Sequence, residues 1–353
     1  MTQSTRHVTV AQCDDGEAWN AFVERTDGSP FALWGWGEAI ASYGLDRHYL
    51  VAKAGDAIVG ALPLVHVDSR LFGDTLVSLP YTSQGALVTD DDHEEAATRR
   101  LLDAARDLGD DLGVDAVTVR STDLGAYPNV TTRNRYVSFR VPVDESPADV
   151  RSNVKKSRRR AIRQAEDDDA LEYDVGDSLD DLREFYRLYL QSMQGHGTPP
   201  HAFEFFRILW DRLHDDGHLR LGLVRTDGQA INAMLDLALG STVIQKSVVL
   251  DYEYRDRNGG SLLHWKSLEW ASEASYDYYH LGRTRPDSGV YRFKRTWGGE
   301  EVDLVDTHYF PDDPFELPDA EDETFDLPKR VWRKLPLAVA RAIGPHIRKN
   351  ITL

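Results

Sequence analysis

Apolar positions along this chain alternate between helical and strand spacing. Trp19, Phe22 and Val23 follow Asp14-x-x-Glu17, a capping-box signature, and predict a short helix; a second helical segment spans Trp34 to Tyr43. Short apolar runs bounded by Gly or Asp predict strands over His48 to Lys53, Ile58 to Val67 and Thr75 to Leu79. Ala97, Leu101, Leu102, Ala105 and Leu108 share one face of a helix over His93 to Leu112, before a strand over Val114 to Arg120. The same order then recurs. Ser178-x-x-Asp181 caps a helix carrying Leu182, Phe185, Tyr186 and Tyr189, and Ala202 to Leu213 is a second helix stopped by Gly217. Strands follow over Leu219 to Val224, Ala230 to Leu239 and Thr242 to Leu250, then a helix over Ser261 to Ala274 and a strand over Tyr278 to Leu281.

The recurrence extends to single residues. Tyr49 to Ala61 aligns without gaps on Leu221 to Ala233, at an offset of 172. Both segments read strand, acidic-Gly turn, strand, and the surrounding order makes duplication a better reading than a chance hairpin. Antiparallel strands followed by a helix and a further strand are similar to the GNAT acyltransferase fold. The expected class is therefore α/β (α+β), with two tandem GNAT-like domains, each a mixed sheet flanked by helices. Residues 1–145 form the first, 146–310 the second, read as the catalytic one, and 311–353 an acidic linker with a basic amphipathic C-terminal segment.

Composition narrows the function classes. The 353 residues carry 59 acidic and 41 basic side chains, a net charge of −18, which repels nucleic acid and anionic surfaces and suits a salt-rich cytoplasm. No apolar run approaches the roughly 20 residues that span a bilayer, and the N-terminus lacks the apolar region of a secretory signal. The single cysteine, Cys13, rules out an internal disulfide and any multi-Cys metal site. His196, His201, His214 and His218 lack the helical pairing with a neighbouring Glu that a zinc site uses, so no metal is expected.

Two segments run against the acidity. Arg151 to Arg163 holds seven bases and no acid and reads as one helix, with Lys155 and Arg159 as candidate ligands for a phosphorylated acceptor or a tRNA backbone. Lys329 to Lys349 is basic and amphipathic; it either lies on a membrane surface or packs back on the body. Asp303 to Asp326 before it, acidic and interrupted by prolines, is expected to be an extended linker.

Candidate chemistry concentrates in the second domain. Arg255, Arg257, Asn258, Gly259 and Gly260 lie between a strand and a helix, where successive backbone N–H groups hold pyrophosphate; a plain turn opening a helix explains the same residues. The first domain carries Thr89-Asp-Asp-Asp92 at the matching place, which would repel phosphate, so its donor site is read as degenerate. Gly282 to Gly298 is the most distinctive stretch, with five bases, three aromatics and three glycines. Its Arg283, Arg285, Arg292 and Trp297 are candidate substrate ligands, and its cations are suited to offset a tetrahedral oxyanion. His196 joins them from His196-Gly-Thr-Pro199, where Gly and Pro also account for a turn.

Together these residues resemble the FemAB family of aminoacyltransferases, most closely the branch found with exopolysaccharide and protein-sorting systems. The resemblance covers about residues 14–310. It rests on Lys155 to Ala165, Ser192 to Pro199, Asn258 to Trp265, Leu281 to Arg283 and, most specifically, Ser288 to Gly298. It implies tandem GNAT-like domains, transfer of an amino acid from aminoacyl-tRNA to an amine of a cell-wall precursor, and a Phe-Lys pair at the active site. That pair falls on Phe293 and Lys294, with the lysine contacting the acceptor phosphate. The helical arm that some members insert for tRNA is missing here, which leaves acyl-CoA beside aminoacyl-tRNA as donor, and no tightly bound cofactor is expected.

The expected reaction is attack of an acceptor amine on an activated acyl carbonyl. Holding the two together supplies roughly 7–11 kcal/mol at best, and oxyanion stabilisation about 3–4. Asp236 and Glu269 are candidate proton acceptors and equally ordinary structural carboxylates. The expected partners are a small-molecule or lipid-linked glycan acceptor, tRNA, and a membrane face reached through residues 329–349. The alternatives are a CoA-dependent N-acetyltransferase of an amino sugar and a non-catalytic glycan- or nucleotide-binding protein.

Overall fold

The computed structural model describes residues 7–69, 72–120, 122–312 and 325–352. They form two compact units, one of Met1–Arg135, Leu304–Ala320 and Lys349–Leu353, the other of Tyr136–Asp303 and Glu321–Arg348.

In the first unit β1 (Val8–Gln12) leads to α1 (Gly16–Arg25) and, through a 3-10 turn, to α2 (Trp34–Ala41). The cap of α1 is Asp15 and not Asp14: its carboxylate accepts from the N–H groups of Glu17 and Ala18. Then come β2 (Arg47–Ala54), β3 (Ala57–Ser69), β4 (Gly73–Val77), β5 (Val88–Thr89), α3 (Glu94–Leu112) and β6 (Ala116–Val119). Strands β1 to β4 pair antiparallel in chain order, β5 pairs off β3, and β6 lies parallel to β4. A parallel partner needs a crossover. α3 makes it, burying Ala97, Leu101, Leu102 and Ala105.

The second unit repeats this plan. β7 (Thr131–Pro142) enters it at Tyr136. There follow α4 (Pro147–Asn153), α5 (Lys156–Glu166), β8 (Glu172–Gly176), α6 (Leu179–His196) and α7 (Phe203–Leu213). Then come β9 (Leu219–Thr226), β10 (Gln229–Leu239), β11 (Thr242–Leu250), a 3-10 turn, α8 (Gly259–Glu273) and β12 (Tyr278–His280). The sheet order is β8-β9-β10-β11-β12-β7, with only β11 and β12 parallel. The capping box at Ser178 and Asp181 is present on α6.

The duplication is visible in a defect. In the β2–β3 pair Lys53 faces Ile58 and Ala52 faces Gly60, so Val59 bulges. In the β9–β10 pair Arg225 faces Ala230 and Val224 faces Asn232, so Ile231 bulges. The two bulges are separated by the same offset as the aligned sequences. A bulge costs a ladder position and re-aims its strand, so its recurrence at matched positions argues for one ancestral hairpin.

Three expectations change. The basic run does not form one helix: Val154, buried and extended at φ −68°, ψ 137°, separates α4 from α5, and the Lys155 N–H pairs with the Thr296 carbonyl at 2.9 Å. Gly289–Lys294, inside the Gly282 to Gly298 stretch for which no element is predicted, is helix α9. And the second domain does not close at residue 310. β13 (Glu300–Tyr309) carries the chain back, pairing Thr307–Tyr309 with Val119–Val117 of β6 in the first unit, so Asp303–Tyr309 is strand rather than linker. The rest of the acidic stretch, 313–324, lies outside the described residues.

The basic C-terminal segment forms α10 (Asp326–Trp332) and α11 (Leu337–Arg348). Both pack within the second unit, burying Trp332 and Ala340. A Cβ on Gly344 would come 2.4 Å from Pro200, so only glycine fits there. Among the described residues no helix is long and apolar enough to cross a membrane.

Candidate active site

The site lies where β11 and β12 part. They pair only over Thr242–Ile244 and Tyr278–His280. Beyond that point β11 continues beside β10, while the chain after β12 follows β7 through Leu281 to the Phe139 carbonyl (3.0 Å) and Thr284 to Val137 (2.8 Å). Past the last paired residues, Gln245 of β11 lies against Gly282. Gly282 has φ +68°, and a Cβ there would lie 2.7 Å from the Gln245 carbonyl oxygen.

α9 delivers Lys294 to this point. Ser288 caps the helix at the Tyr291 N–H, and the lysine sits in its last turn, 7% exposed. Its Nζ donates to the carbonyl oxygens of Gly282 (3.0 Å) and Arg283 (2.9 Å). Desolvation, helped by the Arg283 charge, lowers its pKa to about 7. An ammonium has three N–H groups, so one remains for a substrate.

His264, on α8, is central to the packing around it. Its Nδ1 lies 2.6 Å from the Gly260 carbonyl, which can only accept, so Nδ1 carries the proton. Burial, with Lys294 and Arg158 adding repulsion and the Gly260 bond opposing, lowers its pKa to about 3 and keeps the ring neutral. Its bare Nε2 accepts from the Gln245 amide nitrogen at 3.1 Å. That bond fixes the Gln245 amide, whose Oε1 is buried without a hydrogen-bond partner among the described residues; Trp297 Nε1 is in the same state. The His264 ring stacks on Trp297 at 5.3 Å and meets Phe293 edge-on at 5.0 Å. Arg158 covers Phe293 at 4.2 Å and donates to Ser261 Oγ at 2.8 Å.

The structure thus brings together Phe293, Lys294, Trp297 and Arg283 from the predicted set. Arg285 and Arg283 both lie against the Tyr136 ring, at 5.3 and 5.0 Å. Arg292 is exposed and donates to the Asp287 carbonyl. From the basic run Arg158 turns inward, while Lys155 is exposed and Arg159 donates to the Ser152 carbonyl. His196 ends α6, its carbonyl accepting from Arg333 at 3.4 Å. Asp236 is fully buried in another network: Tyr279 OH donates to it at 2.7 Å, and desolvation raises its pKa to about 6. Glu269 pairs with Lys266 at 2.6 Å.

The expected pyrophosphate loop is only partly arranged for that task. Asn258, at φ +60°, precedes α8, so Gly259 and Gly260 do open a helix. A Cβ on Gly259 would lie 2.2 Å from Asn232 Oδ1, which explains that glycine by packing. Arg257 is taken up by Asp168 (2.7 Å) and Thr226 (2.7 Å), and Arg255 is exposed beside Asp256.

Gln245 and Lys246 lie outside every motif read from the sequence, while Arg158 and His264 lie inside two of them but are not singled out as site residues. Lys246 is lowered to about 7 by desolvation and by Arg348 and Arg283. The signal available was Gln245-Lys246-Ser247, a polar triplet inside an otherwise apolar strand.

Residues 152–295, which lie in the second unit, match a family model described as an acetyltransferase (GNAT) domain. The fold of the chain is that of tandem GNAT proteins. A crystal structure of FemX is 14% identical, with a TM-score of 0.70, over 85% of this chain and 97% of that one. The C-terminal domain of a protein described as a lysylphosphatidylglycerol synthetase from Agrobacterium fabrum is 12% identical, TM-score 0.59, over 84% and 92%. A tandem GNAT protein from the clavulanic acid biosynthesis pathway is 14% identical, TM-score 0.55, over 88% and 99%. No curated protein matches the sequence.

Proposed function

We propose that the chain transfers an acyl or aminoacyl group to an amine of a cell-surface glycan or polysaccharide precursor. One observation carries this reading: an oriented acceptor, Gln245 Oε1, and a donor, Lys294 Nζ, come from the two residues that meet Gly282 where β11 and β12 part. The acceptor suits an N–H of the attacking amine, and the donor suits the oxyanion that forms on the acyl carbonyl. The C–N bond forms, the ester or thioester bond breaks, and the amine proton ends on the leaving alcohol or thiol. Phe293 and Trp297 wall the site against water.

The donor is aminoacyl-tRNA or acyl-CoA. The glycine-opened start of α8 favours a second reading, a CoA-dependent N-acetyltransferase of an amino sugar, because a helix N-terminus receives pyrophosphate. Two features support an acceptor presented at a membrane face. The synthetase among the structural neighbours is named for a lipid product. And α10 and α11 expose Leu327, Val331, Val339, Ile343 and Ile347 among bases. The net charge of −18 fits a salt-rich cytoplasm. Single-turnover assays with mixed aminoacyl-tRNA and with acetyl-CoA, each with an amino-sugar acceptor, test the proposal. Amide formation from either donor, lost in Lys294→Met, supports it; hydrolysis or binding alone, with no amide product from either, refutes it.

A further inference from the structure

We propose that the first unit holds a separate oxyanion site, for the phosphoryl group of a small molecule; it is independent of the transfer reaction argued above. Neighbouring residues two apart on a strand point to one face. Thr118 and Arg120 at the end of β6, Arg133 and Arg135 of β7, and Asp306 and His308 of β13 are three such pairs, and together they line one concave pocket. Every residue lining it belongs to the first unit. The pocket is built into the interior: Arg120 is 4% exposed, and Thr118 and His308 each 6%.

Its lining carries three guanidiniums and one carboxylate, on a chain whose net charge is −18. His308 does not add to the charge. Desolvation and the three arginines outweigh Asp306 and lower its pKa to about 4, so at neutral pH it is an uncharged partner of Thr118 Oγ1 at 2.9 Å. The side-chain charges of the lining therefore sum to plus two, opposite to the charge of about minus two on a phosphate monoester. Guanidinium forks match phosphate oxygens in pairs, and the threonine hydroxyl and neutral imidazole supply the uncharged contacts that hold such a group in one orientation. One wall is fixed from the far end of the chain. Ile351 and Thr352 line the pocket, and Tyr81 holds that segment, donating its N–H to the Thr352 carbonyl (3.0 Å) and its hydroxyl to the Lys349 carbonyl (2.9 Å). This pocket is what remains functional in a unit whose Thr89 to Asp92 segment is too acidic to hold a phosphate itself.

The test uses the full chain, with inorganic phosphate and pyrophosphate as probes, at low ionic strength. Calorimetry compares the wild type, the half-buried pair Arg133→Gln/Arg135→Gln, and Arg158→Gln in the second unit. The expected result is at least a tenfold loss of affinity in the pair and an unchanged affinity in Arg158→Gln. Hydrogen exchange on the wild type supplies a readout that does not depend on the variants folding: probe binding should slow exchange in β6 and in residues 304–309. No binding, equal affinity in wild type and a folded pair variant, or protection confined to the second unit would each overturn the proposal.

Discussion

The Gln245 amide nitrogen lies 3.1 Å from His264 Nε2, and that contact decides which way the Gln245 oxygen faces. The direction is relayed from the backbone. The Gly260 carbonyl fixes the proton on His264 Nδ1, and the bare Nε2 can only accept.

If Gln245 Oε1 receives the attacking amine, Gln245→Met should keep the fold and lower kcat/KM by roughly tenfold to a hundredfold, the worth of one buried bond to a charged or polarised group. His264→Phe should do nearly as much while keeping the aromatic packing with Trp297 and Phe293. Steady-state kinetics on both variants checks this. Wild-type kcat/KM in Gln245→Met would remove the oxygen from the mechanism. Because His264 has a pKa of about 3, no inflection from it is expected in a pH profile above pH 5.

Lys294 gives a stability prediction independent of any substrate. Its pKa is about 7 in the folded chain and near 10.5 when free. Between those values the unfolded chain holds a proton that the folded chain lacks. Stability therefore rises with pH across that window, by at most about 1.4 kcal/mol per pH unit for this group. Lys294→Met removes the contribution and leaves that of Lys246 in place. Urea unfolding at pH 7.5 and 9 should show the wild type gaining about 2 kcal/mol on the variant. Parallel behaviour of the two proteins would mean that Lys294 is not desolvated as described. Only the ammonium has an N–H to spare for the oxyanion, so wild-type transfer should fall as pH rises through about 7, and this variant should lack it at every pH.

Much of this was legible in the chain. Periodicity located the repeated helices and the central strands because each buries one face or both, and a hairpin's turn chemistry is local. The stretch Gly282 to Gly298 stood out by residue type, and the family resemblance pointed within it to Phe293 and Lys294. What escaped depends on contacts distant in sequence. β7 and β13 are polar along much of their length, and β13 reads as an acidic linker until Thr307–Tyr309 meet β6. Arg158 is indistinguishable by type from Arg159, and only the break at Val154 turns one of them toward Phe293. Gln245 carries no motif, and His264 is one unremarked residue of Asn258 to Trp265; their meaning comes from where β11 and β12 separate.

The two glycines that open α8 should behave differently. A Cβ at Gly259 meets Asn232 Oδ1 at 2.2 Å, so Gly259→Ala forces a shift and should cost about 1–3 kcal/mol. At Gly260 the nearest contact is 3.7 Å, so Gly260→Asp is accommodated. Its carboxylate would then face any donor pyrophosphate. Thermal melts should separate the first variant from the wild type, and donor titration the second. Unchanged affinity of Gly260→Asp for both acetyl-CoA and charged tRNA would remove the start of α8 from the donor site.

The last prediction concerns the outer face of α10 and α11. Val339, Ile343 and Ile347 recur every four residues on α11, and Leu327 and Val331 do so on α10, all between 37% and 69% exposed. The inner face is already used, with Trp332 and Ala340 buried and Gly344 against Pro200. Residues 329–349 carry seven bases and no acid. An anionic bilayer offers both a place for the apolar stripe and a counter-charge, worth about 1 kcal/mol per base near the surface and less as salt rises. Deleting the segment is a poor test, since it would uncover the inner face and lower stability. Val339→Asn/Ile343→Asn changes only exposed side chains and should leave the melting temperature unaltered. Each buried Val or Ile is worth roughly 1.5–3 kcal/mol, so the pair should lose at least tenfold in partitioning. Co-sedimentation with phosphatidylglycerol-rich vesicles should show that loss, and vesicles of phosphatidylcholine alone should bind neither protein at matched salt. If wild type and variant sediment equally with anionic vesicles, or the wild type stays in the supernatant, this face has no membrane role and the acceptor must reach the site from solution.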